Sequence, residues 1–251
     1  MTINNNIHHL KKLGKESSTF FFKQFKVEDG RSTMKVGTDA VLLGAVADVG
    51  NSRQVLEIGT GCGVIALMLA QRSDAVIDAV EIDEESAGQA TENAKNSPWK
   101  NRISIIHSSL QDFTKQAAKK YDIIISNPPY FSGSLKSANT KRNLSRHDEM
   151  LSLYELLSCV QELMSGDASL WLILPVKESS QLIKKALETG FSVHYILKIM
   201  TKSGCAPERF ILLLKKSIPE KTVEEILVIK NDDGLYTKEY KELTKDYYID
   251  F

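Results

Sequence analysis

The chain has 251 residues with 32 basic and 32 acidic side chains, and its 42% hydrophobic and 25% charged fractions suit a folded domain and exclude a disordered one. No apolar run approaches the roughly 18 residues needed to span a bilayer, and the start, Met1-Thr-Ile-Asn-Asn-Asn-Ile-His-His9, lacks the apolar stretch of a secretory signal. Cys62, Cys159 and Cys205 are an odd set with no close pair, which argues against a zinc knuckle or disulfide framework and for a reducing cytoplasm.

In chain order, Gln54–Gly59 is a short apolar run ending in glycines, the pattern of a buried strand. Val64–Arg72 sets Ile65, Leu67, Met68 and Leu69 around a helix. Val76–Ile82 reads as a second strand and Glu84–Asn96 as a polar helix. Ile103–His107 and Tyr121–Ser126 are a third and a fourth strand. A helix with a broad apolar face follows over Leu151–Met164, then a fifth strand over Ser169–Leu174. Glu178–Glu188 is helical, with Gly190 as its stop signal. Phe191–Ile199 and Glu208–Lys216 are two more strands with no helix between them. Alternation of strand and helix implies a parallel sheet covered on both faces, and the closing strand pair implies an antiparallel edge. One α/β domain with a short N-terminal extension fits the length.

Charge is uneven beneath the neutral total. Residues 1–38 hold seven bases and three acids, a net of +4. Residues 131–147 hold Lys136, Lys141, Arg142 and Arg146 and no acid. Residues 219–251 hold five bases and nine acids, and read as a solvated face. A nucleic-acid partner would have to use the two basic segments.

The segment Val55-Leu-Glu-Ile-Gly-Thr-Gly-Cys-Gly63 joins the first strand to its helix. Its glycines let a ligand approach the backbone, and the helix behind them offers free N–H groups, although a plain turn would use glycines too. A dinucleotide fingerprint needs its third glycine at position 64, which is Val64, so a dehydrogenase is disfavoured. Glu57 at the strand end would repel a pyrophosphate but suits an ammonium group. Glu81 lies 22 residues after Gly59, an offset at which an acid can accept from both hydroxyls of a ribose. Together these residues resemble the class I S-adenosylmethionine-dependent methyltransferases over roughly residues 54–216. That resemblance implies a Rossmann-like, seven-stranded, mostly parallel sheet with a reversed last strand, and S-adenosylmethionine as cofactor.

The fourth strand runs into Asn127-Pro128-Pro129-Tyr130. The prolines donate no N–H and hold Asn127 extended, leaving two acceptors and a ring. A planar substrate carrying an amino group suits such a set, although Asn-Pro also starts ordinary turns. The tetrad resembles the amino-methylating branch of the family, which acts on adenine N6, cytosine N4, guanine N2 or glutamine amides. Catalysis would then be positioning and charge placement, with no general base.

The N-terminal stretch Phe20-Phe-Phe-Lys-Gln-Phe-Lys26, followed by Met34-Lys-Val-Gly-Thr-Asp-Ala-Val-Leu-Leu-Gly44, is similar to the leading segment of the bacterial tRNA1(Val) adenine-N6 methyltransferases. Ala70-Gln-Arg72, Asn96-Ser-Pro-Trp99 and the tetrad extend the similarity along nearly the whole chain. That family modifies the adenosine just 3′ of the anticodon in one valine tRNA. The resemblance implies a substrate-side segment over 1–45 and a methyltransferase domain over 46–251. It assigns catalysis to Asn127, Pro128, Pro129 and Tyr130. Cofactor binding falls to Glu57, Gly59, Gly61, Gly63, Glu81, Ser109, Leu110, Asn127 and Thr38. The tRNA anticodon loop falls to Lys35, Lys136, Lys141, Arg142 and Arg146. It further implies a cytoplasmic monomer without metal or membrane association. Ser109 stands where the family often has an acid, and Asp112 follows three residues later.

Plainer roles suit other residues. His147 reads as a surface side chain, Cys62 as a small filler, Trp99 as a core or helix-end anchor, and Phe20–Phe22 as half core and half surface. Three rivals remain. A release-factor glutamine-N5 methyltransferase shares the tetrad but needs a longer helical domain before the glycine loop. A guanine-N2 rRNA methyltransferase would carry a duplicated domain or a different leading segment. A non-catalytic adenosine-binding module would leave Asn127 and Tyr130 without a purpose.

Overall fold

The computed structural model describes residues 18–128 and 152–251. The predicted strands are present as β3 (Gln54–Ile58), β4 (Val76–Glu81), β5 (Ile103–His107), β6 (Tyr121–Ser126), β7 (Met164–Pro175), β8 (Ser192–Lys202) and β9 (Arg209–Lys215). Two short strands precede them, β1 (Thr19–Phe21) and β2 (Lys26–Glu28), and β10 (Val223–Lys230) follows. The helices are α1 (Thr38–Val46), α2 (Val64–Arg72), α3 (Glu84–Lys95), α4 (Leu110–Gln116), α5 (Leu153–Leu163), α6 (Val176–Glu188) and α7 (Lys238–Thr244).

The main sheet has the order β10-β8-β9-β7-β6-β3-β4-β5, and β9 alone runs antiparallel to its neighbours. This is the doubly wound α/β arrangement expected from the alternating pattern. It differs from the expected seven strands in two details. The reversed strand is interior, because β9 turns back from β8 and inserts between β8 and β7, bonding both. The edge belongs instead to an eighth strand, β10, parallel to β8. Its residues Val223-Glu-Glu-Ile226 are exposed and acidic, which is why the segment passes for a solvated tail in the sequence.

Period-two alternation sorts the strand side chains onto two faces. Val55, Ile125, Trp171 and Ile211 meet α1, α2 and α7 on one face, where Leu42, Met68 and Tyr240 are buried. Leu56, Ile124, Leu170 and Leu212 point the other way, onto α5 and α6, where Leu156, Val160 and Leu182 are buried. Local chemistry starts the helices as capping rules require. Asp83 caps α3, Ser109 caps α4, and Ser152 with Glu155 forms a capping box on α5.

The β1–β2 hairpin lies on the first face. Phe22 and Phe25 are buried and stacked at 4.5 Å, and Trp99 meets Phe25 edge-on at 5.7 Å. Phe21 is exposed, so the aromatic run is divided between core and surface as expected. The Lys23 ammonium donates to the Lys245 and Phe251 carbonyls at 2.6 and 2.7 Å, tying the hairpin to the C-terminus. Among the described residues, no helix is long and apolar enough to cross a membrane.

Candidate active site

Strand order reverses between β3 and β6, and ligands of open α/β sheets bind outside the carboxyl ends of the strands at such a point. The glycine loop sits there. Gly59, Gly61 and Gly63 take φ values of 72°, 57° and 85°, the left-handed region in which other residues are strained. Gly63 is the N-cap of α2, so the loop delivers the helix N-terminus to the strand end. A Cβ built on Gly59 would meet nothing within 4 Å, so that flank of the loop is open.

Two carboxylates hold the loop in shape. Glu57, 1% exposed, accepts from the Thr60 hydroxyl at 2.6 Å and from the Ala66 N–H at 3.0 Å. Burial pushes its pKa up to about 8, and the nearby Glu81 carboxylate adds to the rise, against the lowering by those two hydrogen bonds. Glu81, 7% exposed at the end of β4, accepts from Gly61 N–H at 2.8 Å and Asp83 N–H at 3.0 Å. Cys62 is buried as a filler, with its thiol pKa raised to about 12 by that burial.

Beyond β5, the Ser109 hydroxyl is engaged at the start of α4, accepting from Asp112 N–H at 3.1 Å and donating to the Asp112 carboxylate at 2.9 Å. Asp112 itself pairs with Lys115 at 2.9 Å on an exposed helix face. Leu110 is buried in the second core, which leaves only its backbone for a ligand.

At the end of β6, the Ser126 hydroxyl donates to the Ile58 carbonyl at 2.8 Å, fixing the two central strand ends together. Asn127 follows directly. Its Oδ1 is buried and accepts no hydrogen bond from any described residue. A buried carbonyl oxygen without a donor costs about 1–3 kcal/mol, and at this strand edge a ligand N–H would supply the missing partner. Pro128 is buried beside it. Pro129, Tyr130, Lys136, Lys141, Arg142, Arg146 and His147 lie outside the described residues.

The N-terminal segment crosses the glycine loop. A Cβ on Gly61 would stand 3.5 Å from the Ser32 hydroxyl and 3.9 Å from Met34 Cβ. Thr38 opens α1 and is exposed. Its neighbour Asp39 pairs with Arg209 Nε at 3.0 Å, seating the start of α1 at the end of β9. Lys35 is committed to Asp29, donating to its carboxylate at 3.0 Å and its carbonyl at 3.2 Å. Asp29 is a buried hub that also accepts from the Ser18 hydroxyl and from Val36 N–H. Burial alone would raise its pKa, but these bonds together hold it below the usual carboxylate value.

Two residues that sequence reasoning passed over complete this wall, Asp29 and Asn93. Asn93, 4% exposed on α3, donates to the Cys62 carbonyl at 2.8 Å and the Glu28 carbonyl at 2.7 Å, and accepts from Glu28 N–H at 3.0 Å. It is one polar residue among many on a polar helix, so no pattern marks it. Among the described residues, no group of three or more His, Cys, Asp or Glu is placed to hold a metal ion.

Residues 31–152 match the family pattern of the Methyltransferase small domain. The chain is 40% identical to a tRNA1(Val) (adenine(37)-N6)-methyltransferase of Parabacteroides distasonis, over 92% of this chain and 97% of that one. It is 42% identical to the protein of the same name from Bacteroides thetaiotaomicron, with the same coverage. Among solved structures, a predicted O-methyltransferase from Agrobacterium tumefaciens superposes with a TM-score of 0.66 at 17% identity, covering 83% of this chain and 96% of that one, a likeness of fold alone. With the relatives aligned over nearly their full length at this identity, the chain belongs to the tRNA1(Val) (adenine(37)-N6)-methyltransferase family.

Proposed function

We propose that this protein transfers a methyl group from S-adenosylmethionine to the N6 amino group of adenine 37 in the anticodon loop of tRNA1(Val). The observation that carries the reading is the buried Asn127 Oδ1, which has no donor among the described residues, at the end of the strand beside the glycine loop. The site also fits the cofactor. Gly59 leaves open space where a side chain would stand, and the Glu81 carboxylate disfavours a pyrophosphate there. Glu81 would hold the ribose hydroxyls, the loop N–H groups and the Leu110 backbone would line the adenosine, and Thr38 would stand near the amino-acid end. The cofactor supplies a methyl group already activated by its positively charged sulfur.

The chain's own residues must then activate a poor nucleophile. The adenine amino nitrogen shares its lone pair with the ring. Asn127 Oδ1 and the Pro128 carbonyl accept its two N–H bonds, which favours the tetrahedral nitrogen and draws the lone pair out of conjugation. Pro128 and Pro129 present no N–H to compete for those acceptors. Tyr130 would stack on the extruded base, worth roughly 1–3 kcal/mol. An anticodon-loop base is already partly unstacked, so extrusion costs only about a few kcal/mol. The surplus proton leaves after transfer, and no general base is required.

Incubation with methyl-labelled cofactor and total tRNA, followed by nucleoside analysis, tests the reading. Label should enter N6-methyladenosine, and a tRNA1(Val) carrying inosine at position 37 should accept none. Label in another nucleoside, or in a release factor instead of RNA, would overturn it.

A further inference from the structure

The carboxyl edge of the sheet is divided by charge. The ends of β3 and β4 and the start of α3 carry Glu57, Glu81, Asp83, Glu84 and Glu85. The ends of the three strands on the other side of β6 are basic. Lys177 follows β7 at the second position of α6, Arg209 opens β9, and Lys202 closes β8. Because β9 is reversed, its first residue lies on the same edge as the last residues of β7 and β8. Register confirms the alignment, with Arg209 opposite both Pro175 and Ile199.

We propose that Lys202, Arg209 and Lys177 form a docking row for the phosphate backbone of the RNA whose base enters at Asn127. The inference rests on the proposed function and deepens it. The order β8-β9-β7-β6 sets Lys202 three strand spacings, about 14 Å, across the sheet from Asn127, and register carries it about five residues further along the strand direction, for roughly 20 Å in all. A few nucleotides of extended backbone cover that distance. A line of cations leading to a pocket for one planar base divides the work as nucleic-acid recognition requires, with phosphates positioning and the base specifying.

Of the acids nearest the row, Asp39 holds Arg209, Glu208 accepts from the Thr201 hydroxyl at 2.8 Å, and Glu178 is buried. Among the described residues, neither Lys177 nor Lys202 forms an ion pair. Lys202 also stands directly opposite Lys230 of β10, a like-charge pairing that costs stability in the free protein and that a bound phosphate would relieve. Residues 201–206 at the tip of this hairpin are exposed. Asp232 and Asp233 follow Lys230 in the next turn, which confines the positive charge to the ends of β7, β9 and β8.

The test compares the wild-type chain, the double variant Lys177→Ala/Lys202→Ala and, as a control of equal charge per site, Lys216→Ala, which lies beyond the opposite end of β9. Arg209 is left intact because it holds Asp39. Binding of tRNA1(Val) is measured across salt concentrations, with cofactor affinity and the single-turnover rate at saturating tRNA. The double variant should bind tRNA roughly tenfold more weakly at low salt, with a log–log salt slope shallower by about 1.4–1.8 for two lost phosphate contacts. Cofactor affinity and the saturated rate should be unchanged, and the Lys216 control should bind as wild type. Equal affinity and slope for wild type and double variant would overturn this inference while leaving the function intact. A wild-type chain that binds no tRNA would overturn both. An equal loss in the Lys216 control would reduce the effect to net charge and overturn the row.

Discussion

Gly61 N–H donates to the Glu81 carboxylate at 2.8 Å, so the acid at the end of β4 braces the glycine loop built at the end of β3. The same carboxylate accepts from Asp83 N–H at 3.0 Å where the chain turns into α3. The residue assigned to the ribose thus also sets the shape of the loop that faces it.

Glu81→Ala should therefore produce two separable losses. Two backbone donors lose their acceptor, which should lower stability by about 1–3 kcal/mol, read by denaturant unfolding without ligand. Cofactor affinity should fall by roughly another 1–3 kcal/mol, read by calorimetry. Glu81→Gln keeps one acceptor oxygen for two donors that the carboxylate meets with separate oxygens, and should restore part of the stability but not the affinity. Full cofactor affinity in Glu81→Ala would remove this residue from the site.

Glu57 makes stability depend on pH. Its folded pKa, near 8, lies above the ordinary carboxylate value of 4.5, so the folded chain binds the proton more tightly than the unfolded one. The sign follows from proton linkage. This contribution is fully present below about pH 4.5 and is lost progressively as pH rises towards 8. Thermal unfolding of the ligand-free chain between pH 5 and 8.5 should show a midpoint falling with pH, and Glu57→Gln should flatten that component. A wild-type midpoint rising steadily over this range, unchanged in the variant, would exclude a protonated Glu57.

Asn93 couples the N-terminal segment to the glycine loop, since one side chain bonds both Glu28 and Cys62. Asn93→Ala leaves three backbone groups without a partner and should destabilise the chain by about 1–3 kcal/mol. A local readout is available. Cys205 is exposed and should react at once with a thiol reagent, whereas Cys62 and Cys159 are buried and should react slowly. In Asn93→Ala, labelling of Cys62 should accelerate more than labelling of Cys159. Equal acceleration of both would mean global loosening in place of a local latch.

The sequence makes the central fold legible because β3 through β9 are apolar runs closed by glycine or capping signals, a local chemistry that tertiary context did not override. Thr38–Val46 was not legible as a helix, since Val41-Leu-Leu43 is apolar on every side and shows no amphipathic period. Strand β10 was hidden because it is an edge strand whose first four residues are exposed, so Glu224 and Glu225 masked Leu227. Within the site, the glycines and Glu81 were readable because fixed offsets from a strand end determine their positions. Asp29 and Asn93 were not, because each draws its meaning from partners distant in sequence or from backbone atoms. The pairing of Lys35 with Asp29 was equally hidden, because the partners lie six residues apart in a loop.

The Asn127 oxygen separates the proposed chemistry from a structural role. If Oδ1 is retained without a donor so that it can receive the adenine amino group, its removal should cost little in the free chain and much in the transition state. Asn127→Ala should leave the thermal midpoint, cofactor affinity and tRNA affinity near wild type, while the single-turnover rate falls by two or more orders of magnitude, about 3 kcal/mol or more. Asn127→Asp offers a stronger acceptor but places a charge where the neutral Oδ1 was buried, and should recover only part of the rate. The affinities show whether the binding sites survive, so a loss confined to rate assigns Asn127 to the reacting nitrogen. If Asn127→Ala instead unfolds early or loses cofactor affinity while the rate at saturation stays at the wild-type value, the oxygen is structural and the adenine must be activated elsewhere.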